Sequence, residues 1–137
     1  MNTPRIAISI GACLVLCAGM AGACGEMLQG ATRTIEGKSY VVVFKTVPDP
    51  IAVGSHFALD FAVCPRAKAE APRSVRVDAG MPEHRHGMNY RPVVTTRPSG
   101  AYRADGLMFH MPGRWDLTFD VAATSGTERL TSTMQLE

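Results

Sequence analysis

Imidazole and thioether are the two neutral side chains that ligate copper, and thioether favours the reduced ion. Both occur in Met81-Pro82-Glu83-His84-Arg85-His86-Gly87-Met88, where two histidines one residue apart lie between two methionines. A later segment, Phe109-His110-Met111-Pro112-Gly113-Arg114-Trp115, repeats the theme. Three of the four histidines fall in these stretches. The candidate metal ligands are therefore His84, His86, Met88, Met81, His110 and Met111.

Residues two apart in an extended segment share a face. His84 and His86 are then expected side by side, with Glu83 and Arg85 opposite and Met88 on the same face if the strand runs through Gly87. Pro82 stiffens the approach because its ring fixes φ. In the second segment, inward packing of Phe109 turns His110 outward and leaves Met111 inward or at a rim. Pairing of strands is what can bring His110 or Met111 beside the first segment. Plainer roles stand next to these. Met81 and Met111 can fill gaps in a core. Trp115, on an alternating strand after Pro112-Gly113, reads first as an anchor of the interior. His56 reads as solvent-facing and Glu83 as a solvated charge. Arg85, Arg91, Arg97, Arg103 and Arg114 read as part of a mixed surface.

The elements that must position these side chains have a period of two almost throughout. Tyr40, Val42 and Phe44 alternate, as do Phe57, Leu59, Phe61 and Val63. Trp115, Leu117, Phe119 and Val121 alternate against Asp116, Thr118 and Asp120. Val75 and Val77 mark a short strand, Leu130, Met134 and Leu136 the last one, and 102–109 another. Pro92 demotes 89–96 to an edge strand. Only 24–35 could hold a helical turn. Turn residues at Pro48-Asp49-Pro50, Gly54, Pro65, Pro72, Pro98-Ser99-Gly100, Pro112-Gly113 and Ser125-Gly126 separate the runs. The expectation is one all-β domain over 24–137, an immunoglobulin-like β-sandwich of about seven short antiparallel strands.

Residues 1–23 read as an export signal. Arg5 gives the positive start, Ile6–Cys17 the apolar stretch, and Ala21-Gly22-Ala23 the small-residue cleavage pattern. Cys13 and Cys17 fall inside it. Cys24 follows directly and has two fates open: a lipid anchor, or a disulfide with Cys64. An oxidising, periplasmic or otherwise exported compartment favours the disulfide. The whole chain carries 14 basic and 12 acidic residues, a net charge of +2. So even a balance provides no footprint for nucleic acid and no pull toward an anionic membrane.

The two His/Met motifs, and in particular Gly106-Leu107-Met108-Phe109-His110-Met111-Pro112-Gly113-Arg114-Trp115-Asp116-Leu117, resemble the YtkA-like family of exported bacterial domains. The related FixH-type oxidase-assembly proteins share the late pattern of an aromatic, a Met, a Gly and a Trp before a strand. The resemblance covers roughly Ser39 to Val121. It implies a small β-sandwich outside the cytoplasm, connected with copper handling or respiratory-oxidase maturation. A FixH protein keeps a membrane helix, and here the apolar segment ends in a cleavage pattern instead.

Three functions follow in order. The first is an exported copper-binding or copper-delivery protein, serving oxidase maturation or copper homeostasis, with a membrane-protein or cuproprotein partner. The second is a metal-free interaction or assembly module for a membrane-protein partner, since Met-rich surfaces re-pack against different partners. The third is a zinc hydrolase with His84, His86 and His110 as ligands and Glu83 as base. No motif of such an enzyme is present and no catalytic residue is assigned, so an enzyme is not expected.

Overall fold

The computed structural model describes residues 23–137. The expected export signal, apart from Ala23, lies outside the described residues, as do Cys13 and Cys17. Nine strands follow in chain order: β1 Arg33–Glu36, β2 Tyr40–Val47, β3 His56–Pro65, β4 Ser74–Met81, β5 His86–Gly87, β6 Val93–Thr96, β7 Ala101–Met108, β8 Gly113–Ala123 and β9 Gly126–Leu136. They form two antiparallel sheets, with orders β1-β2-β3-β7-β6 and β5-β4-β8-β9. Strands β2, β3, β7 and β6 take the places of A, B, E and D of an immunoglobulin sandwich, and β4, β8 and β9 those of C, F and G. The short β5 extends the second sheet as a C′ strand. Among the described residues no helix is long and apolar enough to cross a membrane.

The strand count exceeds the expected seven by β1 and β5. Neither has a sequence pattern to betray it. β1 is exposed at three of its four positions, and β5 is two residues long.

Alternation dictates which side chains enter the core. Along β8, Trp115, Leu117, Phe119 and Val121 are fully buried, while Asp116, Thr118 and Asp120 face outward and pair across the sheet. Phe44 and Phe61 from the first sheet meet Phe119 from the second at centroid distances of 5.4 and 5.2 Å. Tilted and edge-to-face aromatic contacts of this kind add to the stabilisation from burial. The sandwich interior is thus set by the period-two runs, as expected.

Strand β3 is buried on both faces, with Ala58 and Ala62 as well as Phe57, Leu59, Phe61 and Val63 shielded from solvent. The segment before β1 explains part of this. Cys24 is bonded to Cys64, with Cα atoms 5.8 Å apart. That link lays the segment over the outer face of β2, where Gly25 sits so close to Val43 that a Cβ would fall 2.7 Å from the Val43 side chain. Lys45 Nζ donates to the Gln29 carbonyl oxygen at 2.7 Å and holds the segment further along. The expected helical turn over 24–35 amounts to a short turn at 24–27.

Candidate metal centre

Both His/Met segments lie at one end of the sandwich. The first is the connection between β4 and β5. It is not the extended run expected from sequence. Met81 pairs with His86 and Gly80 with Gly87, so 82–85 form a tight hairpin loop. The His84 amide donates to the Met81 carbonyl oxygen at 3.1 Å, closing a turn with Pro82 at its second position, where a fixed φ fits. Arg85 then takes a left-handed φ of 53° and reverses the chain into β5. His84 and His86 come near each other through this turn, with ring centroids 5.8 Å apart, rather than through strand alternation.

The second segment is the crossover from β7 in one sheet to β8 in the other. Phe109 is fully buried, and its ring lies flat on Trp115 at 4.5 Å and 6°. His110 follows and is half-buried. Trp115 Nε1 donates to the Met111 carbonyl oxygen at 3.0 Å, which pins the turn of Met111-Pro112-Gly113 against the core. Gly113 has a φ of +120° and lies against Met81, whose Cε would be 2.9 Å from a Cβ placed there. An ion pair of 3.5 Å between Glu83 and Arg114 crosses the gap between the segments at the surface.

These constraints stack the His110 imidazole on that of His86, at 5.1 Å between centroids and 30° between planes. Trp115 meets both rings nearly perpendicularly, at 5.4 Å from His110 and 6.1 Å from His86. His110 Nδ1 is buried and has no hydrogen-bond partner. An uncompensated buried polar atom of this kind costs about 1–3 kcal/mol. His86 Nδ1 lies 3.3 Å from the Gly87 carbonyl oxygen. The carbonyl can only accept, so a hydrogen bond here requires the proton to sit on Nδ1. His86 also lines an open groove of about 400 Å³ on the outer face of the second sheet, shared with Met81, Arg85 and Asp116.

The sulfur-bearing candidates divide by burial. Met81 is 1% exposed and belongs to the core cluster. Met88 and Met111 are half-buried and pack on the edge of that cluster. Met88 is held by its amide, which donates to the Ala79 carbonyl oxygen at 3.1 Å. Among the described residues, no group of three or more His, Cys, Asp or Glu side chains is placed to hold one metal ion. The three imidazoles are neighbours, not a preset three-nitrogen site.

His56 is exposed, as expected, and its ring packs on Tyr90 at 5.0 Å. Its pairing with Met108 puts the fourth histidine at the same end of the sandwich. Trp115 is buried, as expected of a core anchor, and its contact with both imidazoles is the feature sequence reasoning passed over. The Pro112-Gly113 turn was the available signal, since it folds Trp115 back beneath His110. Of the arginines read as mixed surface, Arg103 is held by Asp60 at 2.9 Å and Asp105 at 2.8 Å, and Arg114 by Glu83. Comparison with protein-family profiles, with curated proteins and with solved structures gives no match.

Proposed function

We propose that this protein binds copper at the β4–β5 and β7–β8 end of the sandwich, and that it works in an exported, oxidising compartment as a copper-binding or copper-delivery protein. One observation carries the reading: the stacked imidazoles of His86 and His110, with a buried His110 nitrogen that no protein group satisfies. A ligand for that nitrogen would offset its cost. His86, His110 and the more exposed His84 supply imidazole; Met88 and Met111, close in sequence to His86 and His110, supply thioether. Met81 forms the wall behind them. Neutral donors of this kind hold copper without the grip of thiolates, which suits release to a partner. The Cys24–Cys64 disulfide fits an oxidising compartment. The likeness of the two motifs to YtkA-like domains points the same way and suggests respiratory-oxidase maturation or copper homeostasis as the setting.

The test is competition for copper against a chelator of known affinity. Loss of copper binding is expected in the double variant His84→Ala/His86→Ala and in His110→Ala, with the fold retained by circular dichroism. Unchanged affinity in both would remove these residues from the site.

A second reading draws on exposed apolar side chains near the same end. Tyr90 is 44% and Val93 64% exposed, and they would suit a metal-free module docking on a membrane-protein partner. Partner co-purification undiminished in copper-free medium, and unaffected by His110→Ala, would favour this reading over the first.

A further inference from the structure

Behind the two stacked imidazoles the wall is apolar: Trp115 and Phe109 are fully buried and Met81 is 1% exposed. The carboxylates nearest in sequence carry partners of their own, although Asp78 and Asp116 border the groove beside His86. Glu83 pairs with Arg114 at 3.5 Å, and Asp116 accepts from Thr133 Oγ1 at 2.8 Å. No three nitrogen, thiol or carboxylate side chains among the described residues are gathered on one position.

The desolvation penalty of an ion rises with the square of its charge, so a divalent ion demands more from its surroundings than a monovalent one. Zinc sites meet that demand with three or four preset ligands, thiolates and carboxylates among them. Here the imidazole and thioether donors are neutral and the wall behind them is apolar. A soft monovalent ion needs less. Thioethers match its softness, and an indole within about 6 Å can add a cation–π attraction.

Building on the copper reading above, we propose that the site takes copper only as Cu(I), together with the redox-inert analogue Ag(I), and rejects Cu(II) and Zn(II). Trp115, in contact with both imidazoles, is the reporter of occupancy. An ordinary imidazole site accepts the divalent ions and holds Cu(II) above Zn(II), as nitrogen ligands generally do.

The experiment uses the purified protein with its disulfide intact and any free thiol alkylated. Ag(I) is titrated while fluorescence of the single tryptophan and the histidine ring NMR signals are followed. Zn(II) and Cu(II) are then added as competitors. Ag(I) is expected to quench Trp115, shift His86 and His110, and resist displacement by a roughly 100-fold excess of either divalent ion, because charge and softness both favour the monovalent ion. Displacement by equimolar Zn(II) or Cu(II), with the same ring signals moving, overturns the charge discrimination and leaves the metal site standing. No response to Ag(I) overturns both. Quenching retained in folded His86→Ala/His110→Ala protein places Ag(I) elsewhere and overturns the proposal.

Discussion

The imidazole of His110 lies on that of His86, 5.1 Å between centroids, and keeps its Nδ1 buried with no partner. Folding therefore tolerates a cost at this point that an apolar side chain would avoid. A site that sacrifices stability for ligand binding behaves this way. His110→Leu is expected to leave the metal-free protein as stable or about 1 kcal/mol more stable, because the orphan nitrogen goes, and to weaken copper binding at least tenfold. Thermal melts in chelator and a copper titration read the two effects. A clear drop in melting temperature would mean that Nδ1 has a satisfied role in the folded chain.

The methionines separate by burial, and the proposed copper reading gives them different roles. Met81→Leu conserves volume in the core and is expected to cost less than about 1.5 kcal/mol, with copper affinity almost unchanged. Met88→Leu/Met111→Leu is expected to lower Cu(I) affinity tenfold or more at similar stability, since both side chains are half-buried and tolerate replacement. Equal loss of affinity in the Met81 variant would make the buried sulfur a ligand and reverse the assignment.

What was legible in the sequence was the core and, in outline, the sandwich. Tyr40 to Phe44, Phe57 to Val63 and Trp115 to Val121 alternate because one face of each strand is buried, and burial leaves a pattern that can be read. β5 left none, since His86–Gly87 is too short to alternate. The His and Met residues gathered at this end were legible as candidates, but not their meeting. His84 and His86 converge because Arg85 adopts a left-handed φ that no residue type there announces. His110 reaches His86 through the register of Met81 with His86 and the crossover into Gly113, both long-range relations with no local trace. The Trp115 contact lay hidden behind its obvious core role.

The disulfide ties a segment with few other anchors to a central strand. It closes a sequence separation of 40 residues, for which the chain-entropy model gives about 4 kcal/mol. Cys64→Ser, or reduction of the wild type, is expected to lower stability by roughly 2–4 kcal/mol and to free the 23–32 segment for proteolysis ahead of the sandwich. Denaturant unfolding with and without reductant measures the first. A change below about 0.5 kcal/mol would show that the segment's own contacts, not the bond, hold it in place.

Asp120 sits between Arg76 on β4 and Arg129 on β9, its register partners on either side. Hydrogen bonds from Arg129, then from Arg76, hold its carboxyl below the ordinary carboxylate range, against an opposing effect of burial. A lowered folded-state value means that the pairing stabilises the protein above about pH 4. The contribution is lost as pH falls through the lowered value, when the carboxyl takes a proton. Both arginines are more than half exposed, so screening keeps the contribution to about 1 kcal/mol or less. Asp120→Asn is expected to be less stable than wild type at pH 7, with the difference closing as pH falls through the lowered value. A difference that persists undiminished in acid would assign the loss to packing instead of charge.

Gly113 tests whether the turn that carries Met111 positions the site or merely joins two strands. Its φ of +120° is a conformation side chains rarely adopt, and a Cβ there would meet Met81 Cε at 2.9 Å. Gly126, in the β8–β9 turn at the far end, has a similar φ of +140° but open space around it. Gly113→Ala and Gly126→Ala should therefore share the backbone strain, about 1–3 kcal/mol each, and differ only in the contact. If the Met81 wall and the Trp115–Met111 hydrogen bond hold His110 against His86, copper affinity falls in Gly113→Ala and stays at the wild-type value in Gly126→Ala, although both melt earlier. Stability lost in both with affinity lost in neither would mean that His110 keeps its place without the turn. In that event the His86–His110 stack itself, more than the Met111–Gly113 turn, positions the proposed donors.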